Sequence, residues 1–168
     1  MKLRMIKAVL ILPGTVVVLV PGIIHWASAG TAFAGALSPP GWIQVWAGLA
    51  ALGAGLFLGT WTASLFVSIG QGTPAPWDPP QNLVVRGPYR HVRNPMLSSV
   101  LFMLLGEALV LSSWPVGWWG ITFFALNSVY FPLFEEKGLE RRFGDDYRTY
   151  KANVPRWVPR LTPWNSPI

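Results

Sequence analysis

The sequence predicts an all-α integral membrane protein with four transmembrane helices and a cytoplasmic, C-terminal amphipathic helix. Its 168 residues are 52% hydrophobic and only 12% charged, whereas about a quarter of the residues in a soluble domain are charged. The apolar residues form four runs, and about 20 apolar residues in a helix cross the hydrocarbon core of a bilayer. The positive charges lie at the ends of these runs. The predicted spans cover residues 6–26, 42–69, 96–111 and 116–134.

The first run, residues 6–26, has two interpretations. It is long enough to span a bilayer, with kinks expected at Pro13 and Pro21. It also resembles a signal peptide, because cations precede it and Ala27-Ser28-Ala29 is a small-residue cleavage site. Cleavage would remove one helix without inverting the others, since the segment that follows lies outside in both cases.

The second run contains closely spaced glycines. Gly53-x-Gly55 resembles part of a dinucleotide-binding loop, but no predicted strand precedes it and no acidic residue follows at the usual distance. Gly55-x-x-x-Gly59 is instead typical of helices that pack closely through small residues. We therefore expect a close helix–helix contact along this run.

The third and fourth runs are predicted to form a helical hairpin, because only the uncharged turn Ser112-Ser113-Trp114-Pro115 separates them. Residues 135–153 are highly charged but carry apolar residues every three or four positions, which predicts one apolar helix face. These residues are Leu139, Phe143, Tyr147 and Tyr150.

The thirteen lysines and arginines define the predicted topology. Three precede or begin the first run, three lie in the loop at residues 70–95, seven follow residue 134, and the other two loops have none. Four spans with both termini cytoplasmic satisfy the positive-inside rule. We expect a bacterial inner membrane or its equivalent, with anionic headgroups as the partners of the cations. No zinc-finger spacing or basic helix with interleaved aromatics indicates nucleic-acid binding.

The composition excludes several kinds of chemistry. The chain has no cysteine, so it has no disulfide, thiolate metal site or cysteine nucleophile, and we expect no bound metal. Four short helices leave little room for a channel or transporter, and no inverted repeat is present. We expect a single membrane domain whose site is formed by residues 70–95 and 135–168.

Three motifs occur in order on these two segments. They are Gly87-x-Tyr89, Arg93-Asn94-Pro95 and Glu135-Glu136-x-x-Leu139-x-x-x-Phe143-Gly144-x-x-Tyr147-x-x-Tyr150. The ordered set, interrupted by a helical hairpin, resembles the isoprenylcysteine carboxyl methyltransferase family and, more loosely, the phospholipid methyltransferases. The resemblance covers about residues 74–160.

This resemblance implies an S-adenosylmethionine cofactor, which presents a sulfonium cation, an amino-acid zwitterion and an adenosine. In this interpretation Glu135 binds the amino group, Tyr89 offers a ring face or a hydroxyl, and extended backbone at residues 81–84 binds adenine. The implied cofactor contacts are Gln81, Asn82, Leu83, Val84, Tyr89, Asn94, Pro95, Met96, Leu97 and Glu135.

The chain departs from the family pattern at three positions. Asn94 stands where many relatives have His, and Leu97 stands where Tyr is more frequent. Phe131 occupies the position at which relatives that act on prenylated cysteine have an Arg for the substrate carboxylate. Arg90 and Arg93 are the nearest cations that could replace it, so we count Arg90 and Phe131 as candidate substrate-binding residues.

The implied reaction is direct transfer of a methyl group to a lipid-like or membrane-soluble acceptor, including a prenylcysteine-type carboxylate. Positioning accounts for up to roughly 7–11 kcal/mol of the barrier in such reactions. An amine or hydroxyl acceptor also needs a base, so the candidate catalytic residues are Arg93, Glu136 and His91. Two alternatives stay open: an inactive membrane binding or structural protein of the same fold, and a nicotinamide-dependent membrane reductase related to the sterol reductases.

Overall fold

The computed structural model describes residues 11, 13–31, 41–73 and 79–165, and all regular secondary structure within them is helical. The all-α prediction is therefore confirmed for this part of the chain. The helices are α1 (Val20–Ser28), α2 (Trp42–Leu65), α3 (Pro95–Val110), α4 (Trp114–Tyr130) and α5 (Glu136–Asn153). Three π-helical segments adjoin them at Gly14–Leu19, Phe66–Gly70 and Phe131–Glu135, and a 3-10 turn, Gly87–Arg90, precedes α3.

One helix among the described residues, Trp42–Gly70, is long and apolar enough to cross a membrane by length and composition. The segments Gly14–Ser28 and Pro95–Val110 are apolar but shorter. Residues 6–10 and 12 of the predicted span 6–26 lie outside the described residues, as do the three N-terminal cations Lys2, Arg4 and Lys7. Large apolar side chains are exposed on α2 and α4, and extensive apolar surface of this kind marks a contact with lipid or protein. They include Trp46, Leu49, Phe57, Trp118, Ile121 and Leu126.

Glycines allow α2 and α3 to pack closely. A Cβ atom on Gly55 would lie 2.8 Å from the carbonyl oxygen of Ser99, and one on Gly106 would lie 2.7 Å from the carbonyl oxygen of Gly48. Neither position has room for a side chain, so the two backbones approach each other because these residues are glycine. The predicted close helix contact is confirmed. Gly53 lies within α2 and faces open space, so it belongs to no nucleotide-binding loop.

A turn at residues 111–113 joins α3 and α4 into the predicted hairpin. Ser113 caps α4, because its Oγ accepts a hydrogen bond from the backbone N–H of Val116 at 3.5 Å. At the same end of the molecule, Gln44 of α2 donates from Nε2 to the carbonyl oxygen of Leu109 at 2.7 Å. These contacts tie the three helices together at the end opposite the charged segments.

Trp119 of α4 holds the N-terminal helical segment. Val20 donates to the carbonyl of Thr15 in the π-helical register, and in this register Pro21 would be the donor to Val16. Because proline has no N–H, the Val16 carbonyl is left without a helical partner. The indole Nε1 of Trp119 donates to it at 3.0 Å.

The C-terminal helix α5 lies against the loop that precedes α3. It is bent at Gly144, whose φ of 56° is in the left-handed region that favours glycine. Its apolar face packs inward as predicted, and the chain beyond it returns along residues 90–93. The buried cluster comprises Tyr147, Tyr150, Val154 and Trp164, with Leu83, Val85, Leu139 and Phe143 packed against it.

Candidate active site

The segment 81–84 is anchored to the end of α2. The carbonyl oxygen of Gly70 accepts hydrogen bonds from the backbone N–H groups of Gln81 at 2.7 Å and Asn82 at 3.2 Å. Val84 is buried, and Leu83 packs against the tyrosines of α5. Two of the backbone N–H groups in the segment predicted to bind adenine, those of Gln81 and Asn82, are therefore already engaged by the fold. The side chains of both residues are exposed.

Tyr89 connects the 3-10 turn to α5. Its ring is buried and lies 5.7 Å from the ring of Phe66, and its carbonyl oxygen accepts a hydrogen bond from the Tyr150 hydroxyl at 2.8 Å. Burial raises the pKa of the Tyr89 hydroxyl well above its ordinary value, so it stays protonated and can donate. The predicted packing role of Tyr150 agrees with this hydrogen bond.

Glu136 is the centre of a buried ion-pair cluster. Its side chain is only 3% exposed, and its Oε1 accepts from Arg93 Nη1 at 2.9 Å and from Arg156 Nε at 2.7 Å. Lys151 Nζ lies 3.0 Å from Oε2 and 2.8 Å from Glu140 Oε1. Burial alone would raise the pKa of Glu136, but hydrogen bonds from Arg156 and Lys151 and the charge of Arg93 outweigh burial and lower it. The Glu136 carboxylate is therefore ionised and stabilised by three neighbouring cations.

Glu135, its neighbour, has a different environment. It ends the π-helical segment after α4 and is half-buried, with no ion pair to the described residues within 4 Å. Burial raises the pKa of Glu135, and the charge of Arg142 opposes the rise. Arg142 also donates from Nη1 to the carbonyl oxygen of Pro80 at 3.3 Å. One arginine thus lies between Glu135 and the start of the 81–84 segment.

Two buried donors beside these groups have no hydrogen-bond partner within the described part of the chain. They are Asn94 Nδ2 and Arg93 Nε. The carbonyl oxygen of Asn94 accepts from the N–H and the Oγ of Ser98 in the first turn of α3, each at 3.1 Å. Since buried donors in folded proteins are almost always paired, the Asn94 amide is a candidate donor to a ligand.

His91 has one ring nitrogen engaged. Its Nδ1 lies 2.7 Å from the carbonyl oxygen of Arg160, and a carbonyl can only accept, so Nδ1 carries a proton. The neutral imidazole therefore has its lone pair on Nε2. The neighbouring Arg90 is held by the C-terminal segment, because its Nε donates to the carbonyl oxygen of Trp164 at 2.8 Å and its Nη2 donates to Asn165 Oδ1.

A largely apolar cavity of about 680 Å³ adjoins His91 and Arg90. Its lining follows one face of α3, through residues spaced by three or four positions from Pro95 to Leu105. At about 1.5 Å of rise per residue this face is about 15 Å long. The lining residues are Leu58, Trp61, Gly87, Pro88, Arg90, His91, Val92, Pro95, Ser98, Leu101, Phe102, Leu105, Phe124, Trp157, Pro159 and Pro163.

The structure brings the two motif segments together at one end of the hairpin, but the predicted residues divide between two places. Arg90, His91 and Pro95 line the cavity, whereas Tyr89, Asn94 and Glu135 lie outside its lining. Met96 and Leu97, in the first turn of α3, are half-buried and also outside it. Phe131 packs edge-on against Tyr130, with ring centroids 6.0 Å apart, and does not line the cavity.

Sequence reasoning missed the cavity wall formed by the C-terminal segment, namely Trp157, Pro159 and Pro163. The spacing of Pro155, Pro159 and Pro163 beside a tryptophan was the available signal. It predicts the end of a helix, but nothing in it predicts the direction in which an irregular segment returns.

Apolar helices adjoin two polar motif segments that meet in space. The phospholipid methyltransferase family model matches residues 43–146, more than half of the chain, and the chain therefore belongs to that family. The resemblance to membrane methyltransferases is thus confirmed. The chain is also 41% identical to an uncharacterized protein of Haemophilus influenzae over 64 residues. These 64 residues are 38% of this chain and the whole of that protein. No solved structure matches the chain.

The family is one of S-adenosylmethionine-dependent, membrane-associated methyltransferases, and the residues present fit this cofactor. A half-buried carboxylate without a cationic partner among the described residues, Glu135, suits the ammonium group and the sulfonium charge. The unpartnered amide of Asn94 suits an acceptor on the amino-acid or ribose portion. No group of three metal-binding side chains occurs in the described ranges.

Proposed function

We propose that this protein is a membrane-embedded methyltransferase that transfers a methyl group from S-adenosylmethionine to a lipid-like acceptor at the cytoplasmic surface. The observation that carries the proposal is the cavity that runs along α3. Its polar end, at Arg90 and His91, lies in the motif segment that also contains Tyr89 and Asn94, and its other end is apolar. A lipid bound in this orientation would present its headgroup to the motif residues.

The cavity dimensions support a lipid acceptor. The lining face of α3 is about 15 Å long, which is about half of the roughly 30 Å hydrocarbon core and therefore the depth of one leaflet. Cavities of roughly 300–1,000 Å³ hold most small-molecule ligands, and this one, at about 680 Å³, has that size.

We propose four transmembrane spans with both termini cytoplasmic, in a bacterial inner membrane or its equivalent. The exposed apolar faces of α2 and α4 support this arrangement, because a bilayer would cover them. The cations of the 86–93 loop and of α5 all lie at the motif end of the hairpin, where anionic headgroups would attract them. In this topology α5 is an amphipathic helix on the cytoplasmic surface.

S-adenosylmethionine, when bound, supplies an electrophilic methyl group. We propose that Glu135 pairs with the positive charge of the cofactor, that Asn94 Nδ2 donates to an acceptor oxygen on its amino-acid or ribose portion, and that Tyr89 contributes a ring face or its protonated hydroxyl. Leu83, Val84, Pro95, Met96 and Leu97 would contribute apolar surface, and Gln81 and Asn82 would contribute a side chain and backbone carbonyls.

The arginines near the cavity are engaged by other protein groups. This favours an amine or hydroxyl acceptor, which loses a proton on methylation, over a carboxylate acceptor, which needs a cation to bind it. Arg93 is occupied by Glu136, Arg90 is occupied by Trp164 and Asn165, and Phe131 adds no charge. His91, in contrast, has a lone pair on Nε2 and lines the cavity. We therefore propose that an amine or hydroxyl acceptor would bond to the methyl carbon as the bond between that carbon and the cofactor sulfur breaks and S-adenosylhomocysteine leaves, while the acceptor's proton passes to Nε2 of His91. Glu136 cannot take this role readily, because three cations stabilise its ionised form, so Arg93 and Glu136 are positioning residues.

Transfer of labelled methyl groups in reconstituted vesicles tests the proposal. The acceptors are an ethanolamine phospholipid, a long-chain alcohol and a farnesylcysteine analogue. We expect labelling of the amine or the alcohol by the wild type and loss of this labelling in His91→Gln. The control His25→Gln should retain it, because His25 does not line the cavity. Labelling of farnesylcysteine by the wild type would contradict the acceptor class. If it appeared only in Phe131→Arg, it would show that the missing arginine excludes carboxylates. Binding of NADPH with no methyl transfer would instead support the reductase alternative.

A further inference from the structure

The C-terminal segment, residues 154–165, forms a two-sided apolar wall. Trp157, Pro159 and Pro163 line the cavity, whereas Val158 and Leu161 are 76% and 100% exposed on the other side. The segment lies beyond the part of the chain that matches the family, which ends at residue 146. It therefore gives this cavity a boundary that the matched family region does not supply.

Hydrogen bonds attach this wall along its length to the motif segment. Arg93 N–H donates to the carbonyl oxygen of Pro155 at 2.9 Å, Arg160 N–H to that of His91 at 2.9 Å, and Trp164 N–H to that of Arg90 at 3.0 Å. Prolines at every fourth position restrict the backbone between these attachments. The wall is consequently stiff, and it shapes the cavity.

Trp157 closes the cavity against α4. Its ring centroid lies 5.0 Å from that of Phe124, at an interplanar angle of 60°, and both residues line the cavity. The aromatic pair therefore bridges the wall and the hairpin. A bulky apolar part of a ligand that entered the cavity beside Phe124 would have to displace the Trp157 side chain.

We propose that Trp157 is a specificity-determining residue that restricts the cavity to a single apolar chain beside α3. The inference rests on the proposed function, because it assumes that the cavity holds the acceptor. A volume of about 680 Å³ lies within the range of sites for drug-sized ligands, and the Trp157–Phe124 pair limits the width of the cavity where the C-terminal segment meets α4. The preferred acceptor is then a lipid with one apolar chain.

The test compares lysophosphatidylethanolamine, with one chain, and phosphatidylethanolamine, with two chains, on the wild type, Trp157→Ala, Trp157→Phe and the control Val158→Ala. The readouts are the ratio of methyl transfer rates and the ratio of lipid adducts retained in native mass spectrometry. We expect the wild type to favour the single-chain lipid. Trp157→Ala should shift both ratios toward the two-chain lipid by at least roughly tenfold, as expected when a pocket gains space for several methylenes. Trp157→Phe should give a smaller shift, and Val158→Ala should give none.

The two readouts separate the inference from the proposed function. Altered lipid retention without methyl transfer by any variant would overturn the methyltransferase proposal and leave Trp157 as the determinant of chain number. Unchanged ratios in folded Trp157→Ala and Trp157→Phe would overturn the role of Trp157, whatever the activity. If Trp157→Ala does not fold, Trp157→Phe alone decides the outcome.

Discussion

Glu135 and Glu136 are adjacent in the chain but differ in almost every property that determines what a carboxylate can do. Glu136 is nearly fully buried and contacts three cations, and its pKa is lowered. Glu135 is half-buried and has no ion pair to the described residues, and its pKa is raised by burial. Successive residues on a helix point about 100° apart, so one side chain faces the cluster of Arg93, Lys151 and Arg156 and the other does not.

The difference indicates that the charge of Glu136 stabilises the fold, whereas the charge of Glu135 is available to a ligand. Glu136, the first residue of α5, contacts Arg93 in the loop before α3, Lys151 near the end of α5 and Arg156 in the C-terminal segment. It therefore holds together the segments that carry the motifs. Glu135 forms no ion pair with the residues that the structure describes, and burial raises its pKa against the charge of Arg142. Carboxylates whose pKa is shifted by burial and by a nearby charge are candidates for functional sites. We therefore propose that the positive charge of the ligand pairs with Glu135.

The largest effect should follow from removing the structural charge. In Glu136→Gln, three cations lose their common partner, and breaking a buried ion pair costs about 3–5 kcal/mol of stability. We expect a marked fall in the midpoint of thermal unfolding in detergent. As a control, Arg148→Gln removes an exposed pair with Asp145 and should leave the midpoint nearly unchanged. Equal midpoints for Glu136→Gln and the wild type would show that the cluster does not hold the segments together.

As the pH falls, ligand binding that depends on Glu135 should be lost before the stability that depends on Glu136. The folded pKa of Glu135 lies above its ordinary value of 4.5, so ligand affinity that depends on its charge should be lost first as the pH falls. The folded pKa of Glu136 lies below 4.5, so its contribution to stability is fully present above that value and is lost as the pH falls further, through the lowered pKa. Binding of S-adenosylhomocysteine and thermal unfolding, measured over the same pH series, test this order. Loss of stability before loss of binding would contradict it.

A smaller effect should follow from changing the arginine beside Glu135. The charge of Arg142 lowers the pKa of Glu135 against the effect of burial. In Arg142→Gln this pKa should rise further, and the midpoint at which acid weakens S-adenosylhomocysteine binding should move to higher pH. Arg141→Gln is the matched control, because Arg141 is exposed and is not among the charges that act on Glu135. An identical midpoint in Arg142→Gln and Arg141→Gln would show that Arg142 does not act on Glu135.

The helices are largely predictable from the sequence because hydropathy determines them. The predicted run 42–69 corresponds to Trp42–Gly70, and the run 96–111 corresponds to Pro95–Val110. The glycine contacts along α2 follow from small residues at helical spacing. The π-helical segments were not predicted, because a shift of one residue in the hydrogen-bond register leaves little trace in the pattern of apolar residues.

The contacts of the site were less predictable than its location. The motifs indicated the segments that meet, but the ion-pair cluster involves Lys151 and Arg156, whose partners depend on how α5 rotates. The cavity wall depends on the return of an irregular segment through backbone hydrogen bonds to residues 90–93. These hydrogen bonds use backbone N–H and carbonyl groups, which all residues carry apart from the missing N–H of proline. The side chains in the sequence therefore do not specify the pairing.

Calorimetry of S-adenosylhomocysteine binding in nanodiscs tests the central claim most directly, with the wild type compared with Glu135→Gln. A hydrogen bond to a charged group is worth about 1.5–3 kcal/mol. The account predicts that the wild type binds and that Glu135→Gln binds at least roughly tenfold more weakly, with an unchanged unfolding midpoint in the absence of ligand. A wild-type protein that does not bind S-adenosylhomocysteine, or a Glu135→Gln variant that binds it equally well, would contradict the assignment of the cofactor to this site.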